Sequence, residues 1–456
     1  MTTNAPTPDR GGAERVDVWA MLAVLLGVAI TTLDVSLTST ALPAIAARIG
    51  AGPADTIWVV NVYYFAVVAA LSPLAALGEI HGHRRIFLAG LAVFALGAIA
   101  CSLSNSLTAL MAGRAVLGLG SAAVSATTPA LVRAIYPSRL LARGLGVYAL
   151  VVGVAFTAGP AVTSIILAVG DWRWLFLVSA PPALLACLLA ARSLPDTDRN
   201  HRPFDTISAL LCAGAFGCLL FGIAGVGRLG PQWVVASFIV GVICGYGLRL
   251  RESGQRAPIF AVDLFRIPAF SLSAATSTCA FTIQGLAFVG LPFLFQSKMG
   301  FSQVEAGLLL TSWPVAVTTM TLVAARLAER VAPAILGGMG LLVIAASLGS
   351  LALLPASAGA AEVVVRLALC GIGFGFFQSP NMLALMRSAP VERSGGAGGI
   401  LATSRLFGQS MGAATVAICL SLLAPNGLST AIGLGAAIAI IGSGVSFSRL
   451  LPKARL

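Results

Sequence analysis

Long apolar runs, each ended by a short break rich in Gly, Pro and Arg, recur along the chain from Trp19 to Phe447. A run of about 20 residues crosses the hydrocarbon core of a bilayer as a helix. The ten-residue alternation of a membrane barrel is not visible. The pattern predicts fourteen spanning helices, starting near Trp19, Ile57, Ile86, Thr108, Leu140, Trp172, Thr206, Pro231, Pro268, Gln303, Ala332, Ala361, Ser394 and Ser429. Each satisfies its own backbone, as hydrocarbon demands. The expected class is an all-α polytopic membrane protein.

The second half repeats the first in the same direction. Leu77-Gly78-Glu79 returns as Leu327-Ala328-Glu329 at an offset of 250, Arg114 as Arg366 at 252, and Pro137 with Gly146 as Pro390 with Gly399 at 253. Three near-equal offsets in one order imply parallel repeats related by an axis along the membrane normal. The expected organisation is a tail (1–18), a six-helix bundle (19–204), two extra helices (205–249), a linker (250–267), a second six-helix bundle (268–450) and a tail (451–456). In the linker, Ile259, Phe260, Leu264 and Phe265 alternate with charges, which suggests a segment lying in the interface.

Composition agrees: 58% of residues are hydrophobic and 10% charged, with mean hydropathy +0.96, whereas soluble domains carry about 25% charged residues. A net charge of +12 invites a nucleic-acid reading, but the bases are spread a few per loop. Counting alternate loops, 21 of the 28 Lys and Arg fall on the side of both termini. By the positive-inside rule that side is cytoplasmic, with a bacterial inner membrane as the default and no nucleic acid as partner. The polar first 17 residues and the long first run do not resemble a cleaved signal. Eight cysteines lie in apolar runs without CxxC spacing and read as small core residues. The histidines, His81, His83 and His201, fall in loops. Neither a metal nor a cofactor is expected. No catalytic nucleophile with a base and no phosphate-cradling loop stands out, so an enzyme is not expected either.

The break Ala75 to Arg85, AALGEIHGHRR, packs charge and glycine between two spans. It resembles the GxLaDRxGRR loop of the major facilitator superfamily. Leu33-Asp34 with Ala41-Leu42-Pro43, Arg114 through Gly120, and Gly153 with Gly159-Pro160 resemble, in order, the first-, fourth- and fifth-helix motifs of its fourteen-span drug:proton antiporter branch. The elbow is also similar to that of methyl viologen and quaternary ammonium exporters. There are departures: Glu79 replaces Asp, Ile80 and His83 replace Arg, Leu117 replaces Gln, Ser39 replaces Asn, and Thr163-Ser164 replaces Gly-Gly.

Asp34 is the acid placed deepest in a span, where a charge costs about 2.5–3.5 kcal/mol on insertion scales. Either it cycles between protonated and ionised as a cavity opens to each side, or it is a structural acid bonded to Thr31, Thr38 or a neighbouring helix. Arg114, which cannot shed its charge, must face a cavity, carbonyls or an acid; the resemblance implies a part in proton coupling. Arg366 has Glu362 one turn before it and reads as a structural pair. Arg405 lies mid-span with no acid a turn away.

A promiscuous cavity between the halves wants aromatic, Met and amide side chains. The candidates are Trp58, Asn61, Tyr64, Gln284, Phe288, Trp313, Phe377, Asn381, Met382 and, if it faces the path, Arg405. The gating candidates are Glu79, Gly82, Arg84 and Arg85 of the elbow, Glu329 as its repeat, and Gly159-Pro160. The elbow's charges can bind neighbouring helix ends and latch an outward-open state, or simply hold the loop inside. Pro160 removes a backbone donor and permits a kink. The resemblance implies a monomeric exporter of hydrophobic, cationic drugs or biocides, driven by protons across the bilayer. An endogenous metabolite or an anionic or zwitterionic amphiphile is the alternative, because an arginine-rich core suits a dication poorly.

Overall fold

The computed structural model describes residues 17–137, 140–197, 204–252, 260–355, 357–390, 393–423 and 426–451. Most of both tails, His201 and Ile259 lie outside the described residues. Fourteen described helices are long and apolar enough to cross a membrane. They are α1 (Val18–Ile49), α2 (Trp58–His81), α3 (His83–Ser102), α4 (Leu107–Ile135) and α5 (Leu141–Val169); α6 (Arg173–Ser193); and α7 (Thr206–Gly225), α8 (Pro231–Glu252), α9 (Pro268–Phe293), α10 (Gln303–Leu327), α11 (Pro333–Ala352), α12 (Ala360–Ser388), α13 (Ser394–Leu422) and α14 (Gly427–Ser448).

Polar residues at the breaks set the ends. Asp17 accepts from the N–H groups of Trp19 and Ala20 at 2.9 and 3.1 Å. Ser302 and Glu305 form a reciprocal capping box ahead of α10. Between α2 and α3 the chain turns on Gly82 alone, at φ 94°, a region that a side chain rarely tolerates.

Helices α1–α6 pack as one bundle and α9–α14 as another, while α7 lies against α2 of the first and α13 of the second. Phe216 of α7 meets Phe407 of α13 and Phe260 of the linker at ring-centroid distances of 6.1 and 5.2 Å. Large apolar side chains such as Leu96, Leu150, Ile165, Leu188, Val242 and Ile440 point outward on this belt, as lipid contact requires. Small residues bring backbones together inside: a Cβ on Gly97 would meet the Leu117 backbone, and one on Gly408 the Thr278 carbonyl at 2.7 Å.

The described linker residues divide between the second bundle and the surface. Leu264 is buried in a cluster with Phe270, Leu385, Ala397 and Ile400, and Asp263 pairs with Arg393 at the start of α13. Phe265 remains exposed. Leu264 and Phe260 thus pack on the second bundle while Phe265 faces outward.

The two bundles meet at the end opposite the elbow, here the far end; the other is the basic end. At the far end Ser164 of α5 donates to the Val304 carbonyl of α10 at 3.1 Å, and Gly307 fits against the Pro160 carbonyl. Towards the basic end, Gly146 and Gly153 of α5 and Gly398 and Gly399 of α13 have nothing within 4 Å of a Cβ position. The two bundles are in contact at the far end.

Candidate functional site

The deepest charges on α1 and α4 find each other. Arg114 Nη1 donates to Asp34 Oδ2 at 2.6 Å, with the side chains 0% and 1% exposed. Arg114 Nε reaches the Val59 carbonyl of α2 at 3.3 Å, and the guanidinium lies 4.4 Å from the centroid of the Tyr63 ring and 5.7 Å from that of Phe176. The Tyr63 hydroxyl shares a 2.7 Å hydrogen bond with Ser121. A cation that cannot lose its proton is thus held by one carboxylate, one carbonyl and two aromatic faces. Thr31 does not help: its hydroxyl donates to the Gly27 and Val28 carbonyls. The Thr38 hydroxyl, both amide atoms of buried Asn61 and Arg114 Nη2 have no protein partner. Asp34 is enclosed here rather than facing a cavity.

The pair sits close along α1 to the contacts that hold α5. Pro160 has no N–H for the Phe156 carbonyl four residues earlier, and the Ser36 hydroxyl of α1 fills the gap at 3.0 Å. A Cβ on Gly159 would strike Ser36. Thr163, where a glycine is usual in the resemblance, donates to the Leu37 carbonyl at 3.2 Å. Ser164 ties the same helix to α10. Those two hydroxyls were noted only as departures, yet they join α1, α5 and α10 into one assembly.

Between the bundles lies a cavity of about 470 Å³, including open solvent, lined by Val152, Gly153, Phe156 and Thr157 of α5, Phe281 and Gln284 of α9, Trp313, Pro314, Val317 and Thr318 of α10, Gln378 of α12, and Arg405 and Gln409 of α13. Of the expected residues, Gln284, Trp313 and Arg405 line it. Phe288 stands behind, its ring 4.9 Å from Phe156 and 5.8 Å from Trp313. Phe377 is a layer deeper, packed on Phe281 and Phe374.

The rest lie elsewhere. Trp58 is at the far end, beside Phe221 of α7, with Arg228 over its ring and Asp55 paired to Arg228 at 3.1 Å. Tyr64 is buried against Tyr63. Asn381 donates to the Ser273 carbonyl and to Ser277, and accepts from Arg449 at 2.8 Å, so its amide is spent inside the second bundle. Met382 is 47% exposed and does not line the cavity. Phe156, Phe281, Gln378 and Gln409 were missed as a set; the signal was the three glutamines inside apolar runs.

At the elbow, Arg84 pairs with Asp196 at 3.0 Å and donates to the Ala191 carbonyl at 2.6 Å, while the His83 backbone N–H reaches Thr197 at 2.8 Å. These bonds hold the elbow to the end of α6, within the first bundle. Glu79, Arg85 and Glu329 are exposed and form no ion pair among the described residues. Arg366 pairs with Glu362 at 3.3 Å, as their spacing predicted.

Residues 24–413 match the Major Facilitator Superfamily. The chain belongs to that superfamily. It is a multi-pass membrane transporter, not an enzyme. It is 43% identical over 454 residues to YebQ, an uncharacterized transporter of Escherichia coli K12, covering 99% of this chain and 98% of that one. It is 29% identical to the multidrug resistance protein Stp of Mycobacterium tuberculosis, over 88% of this chain and 75% of Stp. The fold superposes on a bacterial homologue of the human lysosomal transporter Spinster with a TM-score of 0.72 at 14% identity, covering 98% and 99% of the two chains.

Proposed function

We propose that this transporter exports hydrophobic, aromatic small molecules in exchange for protons by alternating access, as a monomer in a bacterial inner membrane with both termini cytoplasmic. The buried Asp34–Arg114 pair carries the reading. Protonating Asp34 leaves a fixed guanidinium uncompensated, and breaking a buried pair costs about 3–5 kcal/mol, enough to reset a two-state equilibrium. The consequence passes along α1, because Ser36 and Leu37 hold α5, and α5 carries both the cavity wall and the far-end contact with α10. With Asp34 ionised the pair forms and the far end is shut, leaving the cavity open to the cytoplasm to load substrate. Protonation of Asp34 breaks the pair and releases the far end, and the proton taken up outside and released inside drives the cycle.

Export rather than import is favoured by the Gly159-Pro160 motif and by similarity to multidrug resistance proteins such as Stp. The elbow, with Gly82, Arg84 and Arg85 at the basic end, is set to close the opposite state, in which Glu79 would find the partner it lacks here. Glu329 is its counterpart in the second bundle. Of the two substrate charges the sequence allows, the cavity favours the negative one: its lining carries Arg405 and no carboxylate.

Reconstitution tests the coupling. In liposomes with an imposed pH gradient, the wild type should move a hydrophobic dye uphill, and Asp34→Asn should lose uphill transport while keeping downhill exchange. Full uphill transport by Asp34→Asn would overturn the assignment.

A further inference from the structure

Arg405 enters the cavity half-buried, and among the described residues its guanidinium has neither an ion pair nor a hydrogen bond. The two buried arginines Arg114 and Arg449 each have partners: Arg114 has Asp34 and the Val59 carbonyl, although its Nη2 stays unpaired, and Arg449 has Asn381, Ser273 and Ser446. Beside it, Trp313 is 0% exposed and its indole N–H has no partner, and Gln409, 3% exposed, leaves its amide oxygen unpaired. Gln409 Nε2 donates to Gln284 Oε1 at 2.9 Å, which spends the Gln284 oxygen and leaves that side chain only its NH₂ donor to offer. The lining therefore carries a cation, an indole donor and the amide donors of Gln284 and Gln378, with the Gln378 and Gln409 amide oxygens as acceptors and no carboxylate. Phe156 and Phe281 supply flat apolar wall.

Unpaired buried donors cost free energy unless a ligand meets them, and a guanidinium is met best by an oxyanion in its plane. We infer that this cavity binds a planar aromatic anion, its acid group on Arg405 and its rings between Phe156, Phe281 and Trp313, with the indole N–H of Trp313 as second donor. This names the substrate class of the site proposed above and rests on that reading only for the direction of transport. A cationic drug would meet Arg405 as a like charge in a low-dielectric cleft. Such repulsion is where specificity against the wrong charge arises. Exporting an anion against an entering proton also moves positive charge inward in both halves of the exchange, so an inside-negative membrane potential drives it.

Equilibrium binding to the purified protein, with no gradient, tests this with three bicyclic probes of one size: 2-naphthalenesulfonate, neutral 2-naphthalenesulfonamide and cationic N-methylquinolinium. Intrinsic tryptophan fluorescence is the readout. The wild type should bind the sulfonate at least tenfold more tightly than the sulfonamide and hold the cation weakest. Arg405→Gln should lose that preference while keeping its affinity for the sulfonamide, which also reports a folded cavity. Arg405→Lys, which keeps the charge without the fork, should retain a reduced preference. The inference is overturned by tighter binding of N-methylquinolinium, by a preference unchanged in Arg405→Gln, or by no binding of the sulfonate. Sulfonate binding without any pH-driven transport would instead overturn the exchange mechanism and leave the anion site standing.

Discussion

Arg114 Nη1 and Asp34 Oδ2 stand 2.6 Å apart with almost no solvent access to either side chain. Stability and coupling therefore separate by mutation. Arg114→Ala leaves a carboxylate buried and unpaired and should cost about 3–5 kcal/mol, seen as a lower melting temperature in detergent. Asp34→Asn with Arg114→Gln removes both charges and should melt near the wild type while showing no response to a pH gradient. If the double variant still transports uphill, the pair is structural only.

Gly307 is the tightest point between the bundles at the far end, where a Cβ would come within 2.8 Å of the Pro160 carbonyl and closer still to the Ser164 hydroxyl. Gly307→Val should prevent that end from closing. Thr157→Cys, on the cavity wall, offers the reporter. Its labelling by an impermeant thiol reagent added from the far side should rise several-fold with Gly307→Val. Unchanged labelling would mean that closure does not depend on this contact.

The spans were legible because hydrocarbon thickness fixes their length and Gly, Pro and Arg mark the breaks; α1 begins at Val18 against an expected Trp19, and α9 at Pro268 as expected. α3 begins at His83, earlier than Ile86, because the chain resumes a helix directly after Gly82. The cavity was only half legible. A soluble helix advertises its buried face by periodicity, but a helix apolar on every side does not, so the inward face of α2 could not be read. Trp58, Asn61 and Tyr64 share that helix and none lines the central cavity. Arg405 could be found because a charge mid-span needs a reason to be there. That Asp34 and Arg114 pair with one another depends on α1 and α4 crossing at that level, which no single helix records.

The elbow separates a static contact from a moving one. Arg84 and Asp196 form an ion pair with side chains 29% and 69% exposed, the kind worth less than about 1 kcal/mol. Arg84→Ala should barely change melting. Glu79 has no partner in the state closed at the far end, so Glu79→Gln should leave melting unchanged too, but slow transport by weakening the opposite state. In the Thr157→Cys background, far-side labelling should fall. If both the rate and the labelling match wild type, the elbow serves topology alone.

Asn381 was expected in the substrate path and instead closes a polar cluster between α9, α12 and α14. Arg449 Nη1 donates to Asn381 Oδ1 at 2.8 Å and to Ser273 Oγ at 3.0 Å, and Asn381 Nδ2 reaches Ser277 at 2.8 Å. Burial pushes the Arg449 guanidinium down to about 10, so it remains charged at physiological pH and needs its acceptors. Asn381→Ala withdraws one acceptor from that cation and should destabilise the second bundle by about 1–3 kcal/mol. Relative affinities for the three aromatic probes should not change, because the amide never reaches the cavity. Asn381→Asp keeps an acceptor beside Arg449 but loses the donor to the Ser273 carbonyl, and should recover part of the lost stability. A change in probe preference with Asn381→Ala at unchanged melting would place this residue back on the substrate path.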